Sequence, residues 1–600
     1  MTPDTPDRLL RVDLSTRTVE SVPVPEAWLR RYVGGKGLGA RYLYEELEAG
    51  VDPLGPSNAL LFMLGPLSGR LPGESRYAAV TKSPLTGGFL DSYAGGSFPD
   101  ALVGALGPNA GLLVTGQADE PVRVVVEDGA ATVEPTDAWG EDTIETAAAH
   151  PDAAVACIGP AGEREVAYAT IASDEGDHHA GRGGAGAVMG SKRLKAVVAR
   201  GEPPALEDER LTALREAFAE RYRDDETGRW LRASETVESV DFANEVGALS
   251  TRGWADGRFE DADAIGVGAV RERATGRENE SADADTDDPG GFRVETDEGD
   301  YVPRGAASMS LGAGLGINEF DAVAQLGQTC DRLGVDLISA GSAVAWTIKA
   351  ADAALLERSL DFGDPDGARR LLEEIAARET PLGDALADGV DAAAERFGGD
   401  DLVPTVKAMA LPAYDPRGAQ SMALAYATSD RGACHRRARP IEREVFDGEW
   451  SPDRTAETVV AEQDRRSILW CLIVDDFVGE AFDDLGAAWL DAVGLEPLGD
   501  LATVGERVWN LTRLFNVREG VTRSDDVLPS PLREPLESGP NAGEAVDRER
   551  FEATLDRYYR KRGWGPDGRP TRATVERLDL AEAVDNDSLL ASSTSSVPEE

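Results

Sequence analysis

Short runs of apolar and β-branched residues, each closed by glycine or proline, fill the first two hundred positions. The runs at 59–64, 77–81, 111–115, 122–127 and 154–158 are strand-sized and predict a sheet-dominated domain over 1–205. Beyond about 206 the period changes. Apolar residues recur at three- and four-residue spacing over 211–224, 351–359, 366–378 and 382–397, which predicts a mostly helical second domain over 206–410. An acidic insert at 273–302 divides that domain and reads as a solvated loop. Periodic stretches at 457–476, 500–516 and 547–562 predict a third, helical domain over 411–582. The low-complexity tail at 583–600 is expected to be disordered. No internal repeat stands out. The fold class predicted is α+β, a sheet-rich unit followed by two helical ones.

Charge adds a second constraint. Lys and Arg total 61 against 110 Asp and Glu, a formal net charge of −49. Phosphate backbones and anionic lipid surfaces would be repelled, so neither nucleic acid nor a membrane is an expected partner. Hydrophobic residues at 41% are enough for real cores. A folded protein with a carboxylate-rich surface suits concentrated salt, where screening removes the self-repulsion. No 18-residue apolar run and no apolar leader segment occurs, and the expected location is the cytoplasm.

Candidate chemistry is sparse. The four cysteines, 157, 330, 434 and 471, form no CxxC and by spacing alone predict neither a disulfide framework nor a metal site. His435 stands in SDRGACHRRARP, where a thiol, an imidazole and several guanidinium groups share one segment able to move protons beside an anion. Three glycine clusters, GGKGLG (34–39), SYAGGSF (92–98) and GRGGAGAVMGSK (181–192), offer backbone N–H groups to an anionic ligand, though each could equally be a set of tight turns. Neither GxxxxGK[ST] nor GxGxxG is fulfilled. Asp331 and Asp336, around a glycine in CDRLGVDLISAG, could accept N–H groups of a planar heterocycle or cap a helix. No G-x-S-x-G elbow supports a hydrolase.

Taken in order, these segments resemble the aldehyde ferredoxin oxidoreductases, a family of tungsten- or molybdenum-pterin enzymes. The likeness runs from YVGGKGLGARYL through GPLSGRLPGESRYAAVTKSPLTGGF, GRGGAGAVMGSKRLKAV, CDRLGVDLISAG and PAYDPRGAQSMALAYATSDRGACH to YYRKRGWGPDGRPT. The resemblance implies a β-sandwich-like N-terminal domain carrying two pterins, with two helical domains enclosing the metal. It implies oxidation of an aldehyde to a carboxylic acid, with electrons leaving through a [4Fe–4S] cluster to ferredoxin or another acceptor; homodimer formation stays open. By motif it places Arg76 between pterin and cluster. Gly95, Gly96, Arg182, Gly183, Gly184 and Gly186 would lie at the pterin phosphates and a bridging magnesium, Asp331 and Asp336 at a pterin, and Arg431, His435 and Arg437 at the substrate end, His435 being the catalytic candidate.

Departures from the family pattern bear on activity. The stretch where three cluster cysteines belong, ATGRENESADADTDDPGGFRVETDEGD, has none, and Cys471 is the one cluster-type cysteine left. A cubane needs four thiolates, so no [4Fe–4S] cluster is expected at the usual place. Arg304, Gly305 and Ala306 replace the family's Glu-Tyr-Glu segment, Arg466 an aspartate at a pterin, and Tyr93 an asparagine. Two readings follow: an aldehyde oxidoreductase with an altered electron exit, or a cluster-less paralogue that keeps the scaffold as a cofactor-binding or regulatory protein.

Overall fold

The computed structural model describes residues 5–591 except 204, 207, 280–288, 475–478, 480, 481, 483 and 585. Twelve strands form two six-stranded sheets. The first contains β1 (Arg8–Asp13), β2 (Thr18–Pro23), β3 (Leu60–Met63), β4 (Tyr77–Lys82), β5 (Phe89–Ala94) and β6 (Asn109–Thr115), in the order β2-β1-β6-β3-β4-β5. The second contains β7 (Val122–Glu127), β8 (Ala130–Pro135), β9 (Ala154–Cys157), β10 (Ile171–Ser173), β11 (His178–Ala180) and β12 (Leu194–Arg200). Its order, β8-β7-β12-β9-β10-β11, repeats the first strand for strand. In each sheet one pairing is parallel, β1 with β6 and β7 with β12. The duplication was not legible as a repeat, because many apolar sequences satisfy the same inward-facing positions. The sheets pack face to face through residues such as Leu10, Phe62 and Leu112 of one and Val124, Ile171 and Val197 of the other.

Register equates individual residues. Tyr77 pairs with Ala94 in the first sheet and Ile171 with Ala180 in the second, so Tyr93 corresponds to His179. The turn Ala94–Gly95–Gly96 leads into α1 (Phe98–Leu106), and Ala180–Gly181–Arg182 leads towards α2 (Ala185–Ser191).

The helical half respects the same division. Helices α3 (Phe320–Leu333) and α4 (Leu337–Asp352) share a core with Tyr168 and Ala187 of the second half-domain. Helices α5 (Pro452–Leu472) and α6 (Leu501–Arg518) share one with Leu38, Val80 and Phe89 of the first. Gly159, after β9, has no room for a side chain because a Cβ would lie 2.6 Å from the Leu333 carbonyl oxygen; Gly65, after β3, meets the Leu472 carbonyl oxygen at 2.0 Å. Both helices stop on a left-handed residue, Gly334 (φ 72°) and Ile473 (φ 57°). Leu472 therefore corresponds to Leu333, and Trp470 to Asp331.

Several expectations change. The insert is not only loop: β13 (Ala274–Arg277), β14 (Phe292–Thr296) and β15 (Gly299–Tyr301) pair antiparallel, and residues 280–288 lie outside the described ones. The helix expected at 351–359 is absent; α4 ends at Asp352. Helix α4 itself is buried on every side, so it lacked the amphipathic period that would have announced it. The 382–397 stretch is two helices, Pro381–Ala387 and Val390–Phe397, separated at Gly389 (φ 111°). Part of the tail is ordered: Asp587–Leu589 is a helical turn, with Leu589 and Leu590 in the core, while 592–600 lies outside the described residues. Among the described residues no helix is long and apolar enough to cross a membrane.

Candidate functional site

A cavity of about 1150 Å³ opens where the two glycine turns meet the helical half. Tyr93, Gly95 and Gly96 line it from the first sheet, His178, His179, Gly181 and Arg182 from the second. Asp331 enters from the last turn of α3, Asp336 from the N-cap of α4, and Arg431, Cys434, His435 and Arg437 from the loop after helix Ser421–Thr428.

The arginine corner is held from behind. Arg431 donates from Nη1 to the Asp91 carbonyl (2.7 Å) and from Nη2 to Cys434 Sγ (3.1 Å). Arg437 donates from Nε to Asp430 (3.0 Å) and pairs with Asp91. Asp91 and Asp430 also hold Lys36, which is fully buried. Burial would raise the Asp430 carboxyl, but Lys36 and Arg437 pull it well below the usual carboxylate range. Nε of Arg431 and Nη1 of Arg437 are buried with no hydrogen bond among the described residues, while Nε of Arg182, also without one, lies 3.5 Å from Asp336. Buried N–H donors left unpaired on one cavity wall mark an anion site, since each costs about 1–3 kcal/mol until an acceptor arrives. Burial raises the Cys434 thiol, yet Arg431, Arg437 and Arg182 more than reverse this and bring it to about 7.

The cavity also carries carboxylates and imidazoles whose meeting the sequence did not reveal. His178 lies between Glu74 (3.1 Å from Nδ1) and Glu278 (3.2 Å from Nε2). Burial would lower its pKa, but the two carboxylates raise it. Arg304 donates to Glu278 at 2.7 Å, and Arg76 pairs with Glu74 at 2.5 Å. Glu278 belongs to the cysteine-less stretch and Arg304 to the altered Glu-Tyr-Glu position, so an ionic chain of five residues from four separate segments stands there. Burial drives His179 down to about 4, leaving a neutral ring whose Nδ1 meets Thr170 Oγ1 (2.7 Å) and whose Nε2 meets the Gly176 carbonyl (3.0 Å) and Asp331 (3.3 Å). Burial also lifts Asp331 well above the usual range. His435 borders the cavity with its ring edge-on to Tyr414, 5.7 Å between centroids.

Some predicted residues sit elsewhere. Gly183, Gly184 and Gly186 are closely packed, where a Cβ would strike Leu90 (2.5 Å), the Ala167 carbonyl (2.2 Å) and the Thr170 carbonyl (2.2 Å); their role is packing behind the turn. Lys36 is spent on Asp91 and Asp430, and Lys192 donates to the carbonyls of Asn58 and Gly116, so neither lysine of a glycine cluster faces the cavity. Cys471 points away from it: its sulfur faces Gly37 in the core, and burial pushes the thiol up to about 12. The other thiols are also buried and unbridged, Cys157 in the second sheet, Cys330 in α3 and Cys434 among the arginines. Among the described residues no three His, Cys, Asp or Glu side chains are grouped so as to hold a metal ion.

Two family descriptions match nearly the whole chain: "Aldehyde ferredoxin oxidoreductase, N-terminal domain" over residues 9–201, and "Aldehyde ferredoxin oxidoreductase, domains 2 & 3" over 213–580. The tungsten-containing aldehyde ferredoxin oxidoreductase of Pyrococcus abyssi is 34% identical, with 96% of this chain and 99% of that protein aligned. That of Thermococcus kodakarensis is also 34% identical, over the same shares. A solved structure, the active-site complex BamBC of benzoyl coenzyme A reductase with 1,5-dienoyl-CoA, superposes with a TM-score of 0.80 over 97% of this chain and 98% of that one. At 22% identity it shows the fold alone.

Proposed function

Since the chain belongs to the aldehyde ferredoxin oxidoreductase family, we propose that it oxidises an aldehyde to a carboxylic acid at a tungsten- or molybdenum-pterin centre in this cavity. The single observation that carries the reading is the pair of buried, unpaired N–H donors of Arg431 and Arg437, gathered with the buried Arg182 guanidinium on one wall. Those groups suit a cofactor bearing phosphate and dithiolene charge, and Asp331 suits the N–H groups of its heterocycle, whereas Asp336 caps α4 by accepting from the Ser339 N–H at 3.0 Å and hydroxyl at 2.5 Å. When bound, such a cofactor would supply the two-electron oxidation, and the protein would supply its orientation and electrostatics. To His435, which borders the cavity beside Tyr414, we assign the holding or moving of the substrate's proton.

The electron exit departs from the family's. The chain has four cysteines, and their thiols lie in four separate surroundings, which does not suit a cubane cluster. We therefore read the acceptor as one that reaches the cavity itself rather than one served through an iron–sulfur relay. The same observation favours the second reading, a scaffold that binds cofactor without turnover. Anaerobic purification in concentrated salt, metal analysis by mass spectrometry and aldehyde-dependent dye reduction separate the two. Bound tungsten or molybdenum with aldehyde-dependent reduction is the expected result. Metal without turnover supports the second reading, and about four irons per chain would overturn the cluster-less assignment.

A further inference from the structure

We infer that this chain binds one pterin rather than two, its second half-site being closed by Tyr93 and Trp470. The inference rests on the pterin reading above and deepens it. The duplicated sheets and the two helix ends define two equivalent halves of the cavity, and equivalent residues can be compared directly.

In the half built on the second sheet, the strand residue is His179 and the helix-end residue is Asp331, 3.3 Å apart and polar. In the half built on the first sheet, the same two places hold Tyr93 and Trp470. Their rings stack at 3.8 Å between centroids, with 26° between planes. Rings so close leave no slot between them for a flat heterocycle. The stack is anchored at both ends: Tyr93 Oη donates to Asp91 (2.5 Å), and the Arg436 guanidinium lies 5.3 Å from the Trp470 ring centre. Trp470 brings no acceptor for pterin N–H groups, where Asp331 brings a carboxyl.

The phosphate ends differ in the same sense. The third residue of the second-sheet turn is Arg182, a buried cation whose Nε makes no hydrogen bond and lies 3.5 Å from Asp336. Its counterpart in the first is Gly96, facing a carboxylate: the Asp174 side chain comes within 2.0 Å of where a Cβ would be. Asp174 also accepts the Ser97 backbone N–H at 3.0 Å, so the start of α1 already has its anion. One half thus offers a carboxyl and an arginine at the turn, where the other offers a closed aromatic stack and a carboxylate, at residues paired by backbone hydrogen bonds and helix ends rather than by sequence likeness.

The test counts pterin in the purified holoprotein. Cells are grown with tungstate and molybdate, the protein is denatured, and the released pterin is oxidised to its fluorescent derivative and measured against bound metal and against chain. The expected ratio is one pterin per metal. Two per metal would overturn the inference while leaving the pterin reading intact. No pterin and no metal would overturn the reading on which it rests. Two variants localise the site. Asp331→Asn is expected to cut pterin occupancy by about tenfold, the loss of one buried hydrogen bond. Trp470→Phe is expected to keep it at one per metal, and an equal loss in Trp470→Phe would overturn the assignment; circular dichroism confirms that both variants fold.

Discussion

Arg431 Nη2 donates to the sulfur of Cys434 at 3.1 Å, inside the wall of the cavity. The other thiols have no such partner, and burial holds Cys157 and Cys471 up at about 12. In cofactor-free protein, iodoacetamide should therefore modify Cys434 first, with a rate that rises through a midpoint near its value of about 7. Peptide mapping after brief exposure checks this; prior modification of Cys157 or Cys471 would contradict it.

Lys36 is the buried cation that joins Asp91 of β5 to Asp430 of the arginine loop. Replacing it with methionine leaves two buried carboxylates to Arg437 alone, which should destabilise the fold by about 3–5 kcal/mol. Denaturant titration in concentrated salt is the measurement. A change below about 1 kcal/mol would show that the pair contributes little.

His179 titrates against folding. Its folded pKa, about 4, lies below the unfolded value of 6.5, so the unfolded chain binds the extra proton. Stability from this group is present above the unfolded pKa and is lost as pH falls from about 6.5 towards 4, by up to about 3 kcal/mol. His179→Gln should flatten that part of the stability profile. If the variant and the parent lose stability in parallel between pH 6.5 and 4, the imidazole is not the titrating group.

Gly65 and Gly159 occupy equivalent places, each against the last carbonyl of a helix. Alanine at either should push the helix end away, costing about 1–3 kcal/mol. Thermal unfolding of the two single variants tests the duplication as an energetic fact. A neutral Gly159→Ala would mean that the second half tolerates movement the first does not.

A net charge of −49 makes self-repulsion a large term at low ionic strength. Shortening the Debye length from about 10 Å at 0.1 M to about 3 Å at 1 M salt should raise the unfolding temperature steeply. A melting temperature independent of potassium chloride would remove the argument that the acidic surface is an adaptation to salt.

Periodicity alone determined the strand-rich start, the helical remainder and most element positions, because local burial patterns are written into alternation and three-four spacing. Residue types determined the arginine loop and the Asp331–Asp336 motif as candidates, since guanidinium and carboxyl groups have few bland uses in such company. Only the tertiary structure decided which of them meet. Glu74, His178 and Glu278 come from distant segments, and no spacing announces a contact made across two sheets and an insert. The duplication, too, lives in strand order and helix ends, which hydrogen bonding preserves while side chains diverge. The roles of Lys36 and Cys471 turned on direction: a cation beside glycines and a thiol near a motif both point into the core, where packing, not proximity in the chain, assigns their work.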